Sequence, residues 1–158
     1  MFIKKVNYLY KFLIIFSLIL PINSSRAEFF KDISNIITIN ESRLSYGVSV
    51  TDINADGNNE FIVTGFGYPN LALGYIDGKL KNIIQEEIFL DRNRKTIGVA
   101  ACDLDKDGFE EIYFLNTDTY SGTKKYSDRL IDKNNNNFFD LFELKKNREN
   151  LNLTAGRS

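Results

Sequence analysis

From Leu44 onward, apolar and polar residues alternate: Leu44, Tyr46, Val48 and Val50 are interleaved with Ser45, Gly47, Ser49 and Thr51. A period of two sends successive side chains to opposite faces and predicts a half-buried strand. After an acidic interruption comes Phe61-Ile62-Val63, a short apolar run of the kind a buried strand uses. Two more strands are predicted over Leu71 to Ile76 and Lys79 to Ile83. The Asp77-Gly78 between them favours a two-residue hairpin turn with positive φ.

The pattern then repeats. Gly47 through Thr64 superposes without a gap on Gly98 through Leu115, an offset of 51 residues (98 − 47). Ile97, Val99 and Ala101 precede a second acidic interruption and Ile112 to Leu115 follow it. Strands predicted over Tyr126 to Ile131 and Phe138 to Phe142 complete the unit, with Asp132-Lys133 and four asparagines between them read as a hairpin turn. Self-similarity at this period belongs to architectures in which one unit buries its apolar face only by stacking on a neighbour. Four strands per unit of about 50 residues is the pattern of a propeller blade. The expected fold is all-β: two four-stranded antiparallel blades of an incomplete β-propeller. Repeat 1 covers about 44–95, repeat 2 about 96–150, and a further repeat opens at 154–158, where Gly156 stands in the place of Gly47 and Gly98.

The two interruptions carry the chemistry. The first reads Asp52-Ile53-Asn54-Ala55-Asp56-Gly57-Asn58-Asn59-Glu60 and the second Asp103-Leu104-Asp105-Lys106-Asp107-Gly108-Phe109-Glu110-Glu111. Oxygen-bearing side chains at positions 1, 3 and 5, a backbone carbonyl at position 7 and glycine at position 6 make a calcium loop. The expected ligands are Asp52, Asn54, Asp56, Asn58 and Glu60 in one site, and Asp103, Asp105, Asp107, Phe109 and Glu111 in the other, with Asn58 and Phe109 acting through their carbonyls. Glutamate at position 9 rather than 12, and strands rather than helices on either side, exclude a helix-loop-helix hand. Asn54 stands where the second loop has Asp105, so the second site is expected to bind Ca2+ more tightly. The plainer alternative is a pair of acidic surface turns.

Tyr46-Gly47-Val48-Ser49-Val50-Thr51-Asp52, Gly98-Val99-Ala100-Ala101-Cys102-Asp103-Leu104-Asp105 and Glu111-Ile112-Tyr113-Phe114-Leu115-Asn116 resemble FG-GAP (VCBS-type) repeats of integrin-like β-propellers. More narrowly they resemble the cartilage acidic protein family, whose pattern Pro69-Asn70-Leu71 and Tyr120-Ser121-Gly122 also fit. The resemblance runs from about Phe29 to the end. It implies a calcium-loaded extracellular propeller without established catalytic residues.

Two blades cannot close a ring that usually takes four to eight. Further blades in the same full-length chain, blades supplied by a partner, and a truncated remnant are the three readings of that deficit.

At the N-terminus, Lys4, Lys5 and Lys11 precede an apolar stretch from Phe12 to Ile22, and Ser25-Arg26-Ala27 offers a cleavage position. This predicts a Sec-type signal peptide over residues 1–27, or else an uncleaved anchor, and a secreted mature chain over 28–158. Residues 1–27 hold four of the 20 basic residues and none of the 21 acids, so the mature part carries 16 against 21, a net charge of −5. Seven of those acids are candidate metal ligands, and two bound calcium ions would nearly neutralise the domain.

With no histidine, histidine-based triads and histidine metal sites are excluded. Cys102 is the only cysteine, which rules out an internal disulfide. Asp91-Arg92-Asn93-Arg94-Lys95 has too few charges and aromatics for a nucleic-acid site and reads as a solvated loop between blades. The expectation is a non-catalytic, calcium-binding module that meets an extracellular protein or glycan, with no nucleic acid and no membrane after cleavage. A non-catalytic segment of a larger exported polysaccharide-active enzyme is the alternative.

Overall fold

The structure, a computed structural model, describes residues 30–134 and 137–155. The signal peptide expected over residues 1–27 lies outside the described residues, as does Gly156. Both sheets belong to the unit Ile33–Ser158.

Each repeat folds as a four-stranded antiparallel meander. β1 (Val48–Thr51), β2 (Glu60–Val63), β3 (Leu71–Ile76) and β4 (Lys79–Asn82) lie side by side in that order. So do β5 (Thr96–Cys102), β6 (Glu111–Asn116), β7 (Arg129–Asn134) and β8 (Asn137–Asp140). The β3–β4 turn has positive φ at Asp77 and Gly78, as their dipeptide predicts. Pairing extends upstream of β1, since Thr64 N–H donates to the Gly47 carbonyl and Phe66 N–H to that of Leu44.

The two sheets stack back to front. Ile62 and Ala72, paired across β2 and β3, are fully buried and form one core with Ile112, Phe114 and Ile131 of the second sheet. By the 51-residue offset, Ile112 and Phe114 correspond to Phe61 and Val63, which alternate with Ile62 and so occupy the other face of the first sheet. That other face is open in part: Val48, Val50, Phe61 and Tyr75 are exposed, whereas Leu71 and Leu73 on it are buried. The backbones approach closely at the repeated glycines. A Cβ on Gly47 would lie 3.0 Å from the Gly98 Cα, so a side chain there would press on the neighbouring backbone.

Between the sheets sits an element with no counterpart in the sequence reading, the single helical turn α1 (Glu87–Leu90). Phe89 on it is fully buried, edge-to-face on Phe114 with ring centroids 5.3 Å apart and tilted over Phe138 at 6.0 Å. One aromatic ring thereby wedges the two blades together. Asn70 holds the wedge: its Nδ2 donates to the Phe89 carbonyl, its backbone N–H to Leu90, and its Oδ1 accepts from Gly65 N–H. In the second blade Asp128 takes the same place, accepting from Asn116 N–H at 2.8 Å. It also pairs with the fully buried Lys124 ammonium.

Three readings need correction. The segment 91–95 is not simply a solvated loop, because Asp91 is buried, with left-handed φ, and binds Arg94, Asn116 and Arg129. Arg129 continues to Asp140 and Glu143, so an ion network crosses the blade boundary. Asp132, Lys133 and Asn134 are strand residues rather than turn residues. They pair with Phe139, Phe138 and Asn137, because the ladder continues until only residues 135–136 separate the strands. Finally, β7 begins at Arg129 rather than Tyr126, and β8 ends at Asp140, whose side chain caps a 3-10 turn over Leu141–Glu143.

Among the described residues no helix is long and apolar enough to cross a membrane.

Candidate metal centres

Both acidic nonapeptides connect the first two strands of their sheet, β1 to β2 and β5 to β6, at the same end of each blade. Their backbones turn in the same way. Position 4 has positive φ in each, 59° at Ala55 and 66° at Lys106, and so does position 6, 88° at Gly57 and 93° at Gly108. A Cβ on either glycine would meet nothing within 4 Å, so backbone conformation, not space, calls for glycine.

Four backbone hydrogen bonds match position for position, while Oδ1 of the position-1 aspartate accepts from Asp56 N–H in the first loop and from Lys106 N–H in the second. Gly57 N–H and Gly108 N–H donate to Oδ2 of Asp52 and Asp103, at 2.8 and 3.3 Å. Asp56 N–H and Asp107 N–H donate to Oδ1 of Asn54 and Asp105. Asn58 N–H and Phe109 N–H donate to Oδ1 of Asp56 and Asp107. At the base of each loop the buried ninth-position glutamate reaches back, Glu60 Oε2 accepting from Ile53 N–H and Glu111 Oε2 from Leu104 N–H. The position-1 side chains each accept two backbone bonds, Asp52 from Asp56 and Gly57 N–H and Asp103 from Lys106 and Gly108 N–H, while those at positions 3 and 5 each accept one, and other lone pairs stay available.

The donors are hard oxygens, the kind a hard divalent cation takes. In the second loop, Asp103, Asp105 and Asp107 bring carboxylate oxygens within 4.8 Å of one another, close enough to share an ion. The first loop brings together no trio of acids among the described residues, since Asn54 occupies its third position. Its amide donates to Asp56 Oδ2.

One acid was missed. Asp132 joins Asp105 and Glu111 in a second group whose carboxylate oxygens lie within 4.8 Å. It comes from β7, and only the pairing of that strand reveals it.

The electrostatics reflect crowding. Burial raises Glu60 above the ordinary carboxylate value and the charges of Asp56 and Asp52 add to this, against the Ile53 hydrogen bond and the nearby Lys133. Burial likewise raises Asp132, reinforced by Asp105 and Asp107. Exposed Asp56 moves the other way, held down first by the Asn58 N–H. Carboxylates pushed toward their neutral form by their neighbours are groups that a cation would relieve.

Position 2 differs in its surroundings. Ile53 is buried in the core shared with the second blade, whereas Leu104 is 62% exposed.

At the opposite end of the strands lies a groove of about 490 Å³ between the blades. Tyr46 and Phe66 meet edge to face on its wall at 5.2 Å, and the Lys95 ammonium lies over the Phe66 ring.

A profile described as "FG-GAP-like repeat" matches residues 28–114. The chain is 45% identical over 130 residues to Cartilage acidic protein 1 of Xenopus tropicalis, and 43% identical to the proteins of that name from Homo sapiens and Mus musculus. Each alignment covers 75% of this chain and 20% of the relative, so the chain spans about a fifth of the length of the curated relatives it matches.

Proposed function

This chain belongs to the FG-GAP-like repeat family, and we propose that it is a secreted, calcium-binding segment of a β-propeller whose role is non-catalytic binding or scaffolding outside the cytoplasm. The observation that carries this reading is the matched wiring of the two loops. Two sequences that differ at positions 2, 3, 4, 7 and 8 share positive φ at positions 4 and 6 and four equivalent backbone hydrogen bonds. A solvated acidic turn has no need of such repetition. A cage that must present oxygens to one point does.

Calcium acts here as a structural ion. Five oxygens from one loop fill most of its coordination shell, leaving little room for a substrate. The ion neutralises carboxylates that otherwise repel one another and so fixes the joint between the first two strands of each blade. The expected signal peptide supports export to a compartment where calcium can be plentiful. The interblade groove beside Tyr46 and Lys95 is the surface through which an extracellular protein or glycan would be met.

Further blades complete the wheel. Phe66 bridges to Lys95 and Thr96 N–H donates to the Gly65 carbonyl where the chain passes from the first blade to the second. A bridge of similar form, between residues that the repeat does not make equivalent, joins Thr123 to Thr154, with Ala155 N–H donating to Gly122. This supports reading 154–158 as the opening of another repeat.

Calorimetric titration with calcium, paired with thermal unfolding in calcium and in chelator, tests the proposal. Binding of two ions and a higher melting temperature are expected. At a free concentration a hundred times Kd, each site adds about 2.7 kcal/mol. No uptake at millimolar calcium, with melting unchanged, would overturn it.

A further inference from the structure

We propose that the dipeptide Asp132-Lys133 makes the two metal centres unequal: Asp132 is an additional carboxylate ligand of the second, and Lys133 sets a fixed positive charge beside the first. The inference rests on the calcium reading above and deepens it.

Strand register carries the first half. Phe61 pairs with Leu73 in the first blade, and its counterpart Ile112 pairs with Ile131 in the second. One residue further along, Gly74 and Asp132 are therefore equivalent. That position faces the ninth-position glutamate: a Cβ on Gly74 would lie 3.6 Å from Glu60 Oε1, and 2.9 Å from Ile83 Cγ2. The first blade thus has neither a side chain there nor room for one. The second blade has a carboxylate, within 4.8 Å of oxygens of both Asp105 and Glu111. The ligand comes from a third strand of the sheet, so ion binding at the second centre would tie β7 to the β5–β6 loop.

Alternation along β7 carries the second half. Asp132 faces its own blade's loop, so its neighbour Lys133 must leave from the opposite face, toward the first blade. Its ammonium lies over the Phe109 ring at 4.9 Å and donates to the Asn54 carbonyl at 3.3 Å, and the residue is only 9% exposed. A buried, hydrogen-bonded cation cannot swing away when a second cation arrives. Adjacent residues on one strand therefore act in opposite senses on two loops, raising affinity at one and lowering it at the other. The difference adds to that between Asn54 and Asp105 and opposes the firmer anchoring of the first loop by Ile53.

The test is stepwise binding of calcium to the whole chain by calorimetry, cross-checked by terbium luminescence, for wild type, Asp132→Asn and Lys133→Met. Asp132→Asn is expected to weaken the tight step about tenfold or more while the weak step stays within about twofold. Lys133→Met is expected to tighten the weak step several-fold and to change the tight one less, since the ammonium bonds to Asn54 of the first loop and meets the second only through the Phe109 ring. Asp132→Ser guards against a peculiarity of the asparagine variant, and melting in chelator shows that each variant folds. An unchanged tight step in both Asp132 variants overturns the ligand role, and an unchanged or weaker first-loop step in Lys133→Met overturns the charge role. Absence of calcium binding by the wild-type chain sinks the underlying reading and this inference together, a result distinct from normal wild-type binding with indifferent variants.

Discussion

At the scale of single residues, the acidic loops make metal-free stability depend on pH. Glu60 and Asp132 have raised pKa values in the folded chain, so between the unfolded and folded values the folded state binds more protons than the unfolded state. Their contribution is fully present below the ordinary values, 4.5 for Glu60 and 3.8 for Asp132, and is lost as pH rises through the raised ones. Melting in chelator should therefore move to higher temperature as pH falls through the raised values toward the ordinary ones. Added calcium should reverse the trend, because it binds the deprotonated form. A different balance governs Asp128. It faces the buried Lys124 ammonium and accepts from Tyr113, Asn116 and Asn152. Asp128→Asn keeps the shape but strands a buried cation, and should cost about 3 kcal/mol. Urea unfolding would register this as a lower midpoint at unchanged slope.

At the scale of elements, each loop depends on its backbone and each blade pair on a wedge. Gly57→Ala and Gly108→Ala should each destabilise by about 1 kcal/mol through φ alone, since nothing crowds the added methyl. Equal losses in the two loops, measured in chelator, would confirm that the turns are built alike. The single turn α1 matters for a different reason: it is too short to be stable by itself and persists because Phe89 is enclosed by both sheets. Phe89→Ala should cost about 3–5 kcal/mol and loosen the contact between blades. Hydrogen exchange should show protection falling in β2–β3 and in β6–β7 together.

At the scale of the whole molecule, stacking back to front leaves part of the front of the first sheet open, around Val48, Val50, Phe61 and Tyr75. The second blade shows what covers such a face. Where the first exposes Phe61 and Tyr75, the second buries Ile112 and Lys133 against its neighbour. Val50→Lys and Phe61→Lys should therefore leave the melting temperature of this chain nearly unchanged and reduce its self-association in light scattering. In a longer chain with a blade before this one, the same changes should lower stability, because a lysine would then be buried unpaired. Leu104, exposed where Ile53 is buried, marks the complementary side.

Period-two alternation, the 51-residue repeat and two DxDxDG-type loops are local in the chain, so the sequence alone determined the all-β class, most strand positions and ten candidate donors. Each of these depends on which face a side chain takes or which φ a residue must adopt, and neighbours along the chain decide both. Tertiary structure decided the rest. Phe89 sits in a run of only three apolar residues, Ile88 to Leu90, between acids, and its value comes from two sheets that meet around it. Asp91 reads as solvated until Arg129, 38 residues away, is brought beside it. Asp132 and Lys133 look like a turn because four asparagines follow, and only the register of β7 against β6 sets one by its own loop and sends the other across to the loop of the first blade.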